Sequence, residues 1–215
     1  MKKLKMLGLS ALLALSSIGD VHAEESIVLP TGSVEVMVSQ DDVSLDAKTF
    51  AAYEKFGLFA RSIVGVDYEG TVSDFGLVDA TYNIGSGDLV LEGQYSVGDH
   101  WFSPRAGIQG YTSLGSFDLY GLATMEIGDL ESPALVEVFG TVSHSHDLGK
   151  VSLDSGLEIL VDVGVDGISF AQEKASLGIG GEHISGGLGV DLVEIPTEDG
   201  VSTYVQAGPY MKVSF

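Results

Sequence analysis

Residues 116–127, SFDLYGLATMEI, decide how this chain is read. Taken alternately, Phe117, Leu119, Gly121, Ala123, Met125 and Ile127 form one row, and Asp118, Tyr120, Leu122, Thr124 and Glu126 form the other. Successive side chains of a strand point to opposite faces, so this is a strand with one apolar face and one face bearing carboxylates. Residues 151–163 divide in the same way: Val151, Leu153, Ser155, Leu157, Ile159, Val161 and Val163 stand against Ser152, Asp154, Gly156, Glu158, Leu160 and Asp162. The stretches 89–97, 134–142 and 184–192 repeat the split. Between the strands lie turn clusters such as Gly85-Ser86-Gly87-Asp88, Gly98-Asp99, Leu114-Gly115-Ser116 and Thr197-Glu198-Asp199-Gly200.

Two architectures accommodate strands of this kind. A soluble sandwich buries the apolar face between two sheets. A transmembrane barrel turns it to lipid and keeps the polar face for its lumen. Strands of about nine to eleven residues or more match a tilted bilayer crossing and exceed the usual soluble strand. Tyr68, Tyr82, Tyr95, Phe102, Tyr111 and Phe117 fall near strand ends, where interfacial girdles belong. The expected fold is all-β, a closed antiparallel transmembrane β-barrel. About eleven strands are countable, and since bacterial barrels use even numbers the expectation is ten to twelve, with twelve preferred. The twelfth would hide in 41–54, although 47–59 also reads as a helical turn or so before a strand. In 169–179, Glu173 falls on the lipid side, which suggests a bulge or a shifted register.

The last thirteen residues, 203–215, read TYVQAGPYMKVSF, with Val205, Ala207, Pro209, Met211, Val213 and Phe215 on one face. This resembles the C-terminal signature of bacterial outer-membrane barrel proteins, in which a terminal aromatic closes an alternating apolar strand. The resemblance implies an outer-membrane location and recognition by the barrel assembly machinery, with Tyr210, Val213 and Phe215 as the assembly signal. The strand departs from that pattern at Val213, where Tyr or Phe is common. It departs again at Pro209, which cannot donate to a ladder and predicts a local irregularity. Residues 98–111, GDHWFSPRAGIQGY, are similar to a turn-plus-strand phrase of small porin-like families, including oligogalacturonate-type channels. Those channels line their pores with arginine and this chain does not, so no site or substrate is carried over.

The N-terminus has the three parts of a secretory signal: Lys2, Lys3 and Lys5, an apolar stretch over 6–18, and Val21-His22-Ala23. Residues 1–23 are read as signal peptide and 24–215 as one barrel domain. No cysteine follows the apolar stretch, so a lipoprotein anchor is excluded. The whole chain carries 10 basic and 31 acidic residues. Removing Lys2, Lys3, Lys5 and Asp20 leaves 7 and 30, a net charge of −23. That balance argues against nucleic acid, which needs clustered Lys and Arg. The expected partners are outer-membrane lipid, the assembly machinery and small solutes or cations.

On these facings the lumen collects Glu35, Asp67, Asp79, Glu92, Asp118, Glu126, Glu137, Asp154, Glu158, Asp162 and Asp191, opposed by Arg61, Arg105, Lys174 and Lys212. Carboxylate-lined walls attract cations and repel anions, which points to a small cation-preferring channel. The alternatives are a closed structural or interaction barrel and an outer-membrane lipid hydrolase. Ser143-His144-Ser145-His146-Asp147 contains the ingredients of a metal site or of a Ser–His–Asp hydrolase, but neither is specified, and its plain reading is a polar turn at a strand end. His100 and His183 sit near turns as solvated groups. The acidic turns, Asp41-Asp42 with Asp46 and Glu194 with Glu198-Asp199, match no calcium-loop pattern. The glycines of 178–189 fall within strands and precede no helix, so they do not cradle phosphate. No catalytic residue, metal or cofactor is assigned.

Overall fold

The computed structural model describes residues 27–127, 135–164, 167–181, 183–197 and 200–215. The signal segment and the Glu198-Asp199 turn lie outside them. Twelve strands form the sheet: β1 Ile27–Val38, β2 Asp42–Tyr53, β3 Phe56–Asp67, β4 Val72–Asn83, β5 Asp88–Ser96 and β6 Trp101–Leu114. The second half is β7 Phe117–Glu126, β8 Val136–Asp147, β9 Ser152–Gly164, β10 Gly167–Gly180, β11 Ile184–Thr197 and β12 Gly200–Ser214. Each strand pairs antiparallel with its neighbours in the chain, and β1 pairs with β12, so the sheet closes on itself. Closure rules out the sandwich.

The missing strand is β2. Ala47, Phe50, Ala51 and Ala52 imitate helical spacing, but the segment alternates. Ser44, Asp46, Lys48 and Phe50 line the interior cavity, and Val43, Leu45 and Tyr53 are exposed on the other face. Each residue of β2 from Asp42 to Tyr53 is paired with β3, and only Glu54 and Lys55 form the turn. Glu54 takes a left-handed backbone there, with φ of 51°. Asp46 therefore belongs to a strand, not to an acidic turn. The ladder hydrogen bonds with β3 outweigh any local helical tendency.

The outer surface is apolar. Leu91, Ile108, Ile179, Leu188 and Val205 are all more than half exposed. The buried side chains among the described residues are mostly polar, Met37, Val90 and Leu122 being the apolar ones. A protein folded in water would reverse this, so the barrel has the surface of one solvated outside by lipid. Aromatic pairs mark the rims. Phe56 meets Tyr82 at 5.1 Å between centroids and Phe117 stacks on His144 at 4.7 Å near the rim that carries the chain ends. Tyr95 is cross-strand partner to Phe102 near the other rim. Tyr111 is a correction to the expected girdle, because its hydroxyl donates to Asp118 Oδ1 at 2.8 Å on the interior row.

Two irregularities foreseen in the sequence have physical counterparts. The register of β9 with β10 shifts between Ile168 and Phe170, leaving Ser169 as an extra residue. The shift precedes Glu173 and does not turn it inward; Glu173 stays exposed outside, opposite Ile159 and Leu192. The β1–β12 ladder runs from Ser33↔Ser214 to Met37↔Tyr210 and ends next to Pro209. A second bulge in β1 separates Val28 from Thr31, around Pro30. Both prolines thus stand where strand pairing is already interrupted.

Candidate functional site

The polar rows meet inside the barrel around a cavity of about 750 Å³. It reaches from Asp42 and Ser73 near one rim to Asp118 and Ser145 near the other. Of the sequence-assigned lining residues, Glu35, Arg61, Asp79, Glu92, Asp118, Glu137, Asp154, Glu158, Asp191 and Lys212 border this cavity. Arg105, Glu126 and Asp162 lie on the same inward rows, bonded into the wall. Asp67 ends β3 in a turn where its carboxylate accepts the Thr71 N–H at 2.6 Å.

Charges inside the barrel are segregated. One cluster, drawn from β1, β2, β3, β9 and β10, is balanced. Arg61 holds Asp46 with two prongs, Nε to Oδ1 at 3.1 Å and Nη2 to Oδ2 at 2.6 Å. Lys48 reaches Asp46 at 3.3 Å and Glu158 at 3.5 Å, and Arg61 reaches Glu158 at 3.7 Å. Lys174 binds Glu35 at 2.7 Å. Three bases thus meet three acids, and because β2 and β3 are not neighbours of β9, the Glu158 contacts cross the lumen.

The other cluster, on β4 to β9, is strongly acidic. Asp79, Glu92, Glu126, Glu137 and Asp162 surround a single base, Arg105. Arg105 pairs with lumen carboxylates, Glu137 at 3.1 Å and Asp162 at 3.7 Å. Gln94 donates its amide to Glu92 at 3.0 Å and Glu137 at 2.7 Å. Ser103 donates to Glu126 at 2.9 Å. The wall is dense: Asp79, Glu92, Gln94, Arg105, Thr124 and Glu137 are all buried.

Sequence reasoning overlooked Asp46 and Lys48 as lumen residues, and with them a third of the balanced cluster. Their spacing of two within DVSLDAKTF, in step with Ser44, was the signal. It was masked by the acidic start of the segment and its alanines. Gln94, Ser103 and Gln172 were also passed over. Each is neutral, yet Gln172 Nε2 binds both oxygens of Asp191, at 2.9 and 2.7 Å.

The histidine segment does not assemble. His144 and His146 share one face of β8, with ring centroids 6.4 Å apart. Ser145 and Asp147 alternate to the other, and Ser145 gives its hydroxyl to Asp154 at 2.7 Å. His144 Nδ1 lies 2.9 Å from the Ser116 carbonyl oxygen. Among the described residues no three His, Asp or Glu side chains are grouped to hold a metal ion. At the β1–β2 turn, Ser39 Oγ accepts the Asp41 and Asp42 N–H groups and donates to Asp42 Oδ1 at 2.6 Å, so that carboxylate serves the turn.

The three residues expected to form the assembly signal divide between the faces. Val213 and Phe215 are exposed outside. Tyr210 lines the cavity, lying over Gly178 and Gly189.

No family model matches the chain, and no curated protein matches it. Among solved structures it is similar to the KdgM porin in complex with disordered oligogalacturonate, at 12% identity over 86% of this chain and 99% of that one, with a TM-score of 0.49. It is also similar to OmpT of Vibrio cholerae expressed in the outer membrane, at 7% identity over 91% and 100% of the two chains, with a TM-score of 0.40. The in-vitro folded trimer form of that OmpT matches at 7% identity over 88% and 99%, with a TM-score of 0.37. These likenesses concern fold.

Proposed function

We propose that this chain is an outer-membrane barrel whose lumen passes small cationic or neutral solutes and disfavours anions. The observation that carries the reading is the segregation of lumen charge. Lys48, Arg61 and Lys174 are neutralised by Asp46, Glu158 and Glu35, while the β4–β9 wall sets five carboxylates against Arg105. Low-dielectric walls concentrate the field of such a surface, which favours entry of positive charge. The apolar outside and the aromatic rims support placement in a bilayer. The exposed outer face of Val213 and Phe215 is consistent with a terminal strand read by the assembly machinery.

The test is single-channel conductance of the refolded barrel in a planar bilayer under a salt gradient. Discrete steps with a reversal potential toward the cation value are expected. A correctly inserted barrel with anion preference would refute the reading. A silent one would favour a closed structural barrel, a reading supported by the bridges from Lys48 and Arg61 to Glu158 across the lumen.

A further inference from the structure

A water-facing lumen calls for polar inward rows, yet two groups of inward residues are apolar. Ile63 and Phe75 are direct cross-strand partners on β3 and β4, and Leu77, the next inward residue of β4, stands opposite Arg61. Leu122, Phe139 and Leu160 form a continuous row across β7, β8 and β9, each paired with the next. All six border the central cavity. Leu122 is buried and the other five are half-buried, so part of each stays open to the lumen. Apolar surface held against water forgoes the gain of burial, and a wall that serves ions alone has no use for it.

The two groups face each other. Arg61 of β3 reaches Glu158 of β9 across the lumen at 3.7 Å. Ile63 stands two residues beyond Arg61 on β3, and Leu160 two beyond Glu158 on β9, both away from the rim that carries the chain ends. The bridge is thus a floor, and the apolar groups are opposing walls above it. Tyr120 holds Phe139 from one side, with ring centroids 5.9 Å apart and planes at 62°. Its hydroxyl is tied to Gln109 Oε1 at 2.8 Å, so this wall is preformed. Sites for small molecules are concave, roughly 300–1,000 Å³, and lined mainly by apolar and aromatic side chains with a few polar groups. The cavity here, of about 750 Å³, has that size and lining.

We propose that these two walls form a binding site for the apolar ring of a small uncharged or cationic solute, held above the Arg61–Glu158 bridge. The inference rests on the reading of the lumen as a solute path, and names the chemistry of the solute. A flat ring presents two apolar faces, one for each wall, and gains most where aromatic side chains such as Phe75 and Phe139 meet its face or edge. Thr141, the next inward residue of β8 and the cross-strand partner of Glu158, borders the cavity and offers a hydroxyl to a polar substituent. The excess of lumen carboxylates sets the sign, since it repels an anionic substituent on the same ring.

The test is equilibrium dialysis of benzyl alcohol against the micelle-folded barrel, with protein-free micelles as the blank, beside benzoate and glycerol. Benzyl alcohol should bind, benzoate at least about tenfold more weakly, and glycerol, which has no ring, not measurably. Ile63→Gln/Phe139→Gln, which makes both walls polar, should weaken benzyl alcohol binding at least about fivefold. Leu160→Thr, a gentler change in one wall, should weaken it about twofold, and Ile108→Ala, on the outer face, should leave it unchanged. Retained heat-modifiable migration certifies that each variant is folded. Absence of benzyl alcohol binding, or binding indifferent to both lumen variants, would overturn the proposal, the former being expected if the apolar walls only exclude water as a gate. Benzoate binding as tightly as benzyl alcohol would overturn the charge assignment. Dialysis reads the site apart from conduction. A silent bilayer with wall-dependent binding defeats the pore reading alone, whereas cation-selective steps without such binding defeat the site alone.

Discussion

Arg61 and Asp46 meet in a two-pronged ion pair between adjacent strands, with Asp46 6% exposed. The contact is diagonal, since the residue directly opposite Arg61 is Lys48. Without Asp46 the two cations would face each other across β2 and β3. The pair therefore secures the β2–β3 hairpin and also presents Lys48 and Arg61 to Glu158 across the lumen.

Truncating Arg61 leaves Asp46 buried, with Lys48 as its remaining ion-pair partner. Arg61→Ala should destabilise the barrel by about 3 kcal/mol. Arg61→Lys, which retains charge but loses the fork, should cost about 1 kcal/mol. Denaturant unfolding in micelles, followed by heat-modifiable migration, measures both, and equal costs would show that charge alone matters.

Glu158→Gln removes the acceptor that bridges the lumen. It leaves the cluster with three bases against Asp46 and Glu35. Unitary conductance should rise and cation preference should fall, each by about twofold, as freed cations line the path. Salt-gradient recordings read both quantities together. Unaltered conductance would mean that the Glu158 bridge is not the constriction.

The glycines separate sharply by environment. A Cβ at Gly107 would collide with the Ala123 carbonyl oxygen and lie 2.7 Å from the Thr124 Cα, so β6 would have to leave β7. Gly107→Ala should cost about 1–3 kcal/mol. At Gly121, on the outer row of β7, a Cβ meets nothing within 4 Å. Gly121→Ala should stay within about 0.5 kcal/mol of the parent. The same micelle unfolding assay compares them.

Phe215 closes the seam. Its N–H and C=O exchange hydrogen bonds with Gly32 at 3.0 and 2.9 Å, and its ring lies 2.8 Å from where a Gly32 Cβ would stand. Phe215→Ala keeps the backbone bonds and loses the ring. Folding into vesicles, scored as the heat-modifiable fraction with time, should slow by about tenfold if the ring helps to nucleate closure. Gly32→Val, which displaces the ring, should lower stability as well as rate.

Much of this protein was legible in its alternation. A strict period of two, with carboxylates on one row and aliphatics on the other, determined the facing of β7 and β9 before any pairing was known. Burial on one side makes a one-residue slip costly, so such strands admit one register. Pro209 marked the end of a ladder because a missing N–H is a local property. The region of β2 resisted because its alanines fit both periods, and only the twelve residue pairs with β3 decided between them. Partners inside the lumen were not legible at all. Lys48 and Glu158 are 110 residues apart, and Lys174 and Glu35 are 139 apart. No local pattern ties such residues together. Their meeting follows from closure of the sheet and the stagger of its strands, which sort an excess of carboxylates into one balanced cluster and one acidic wall.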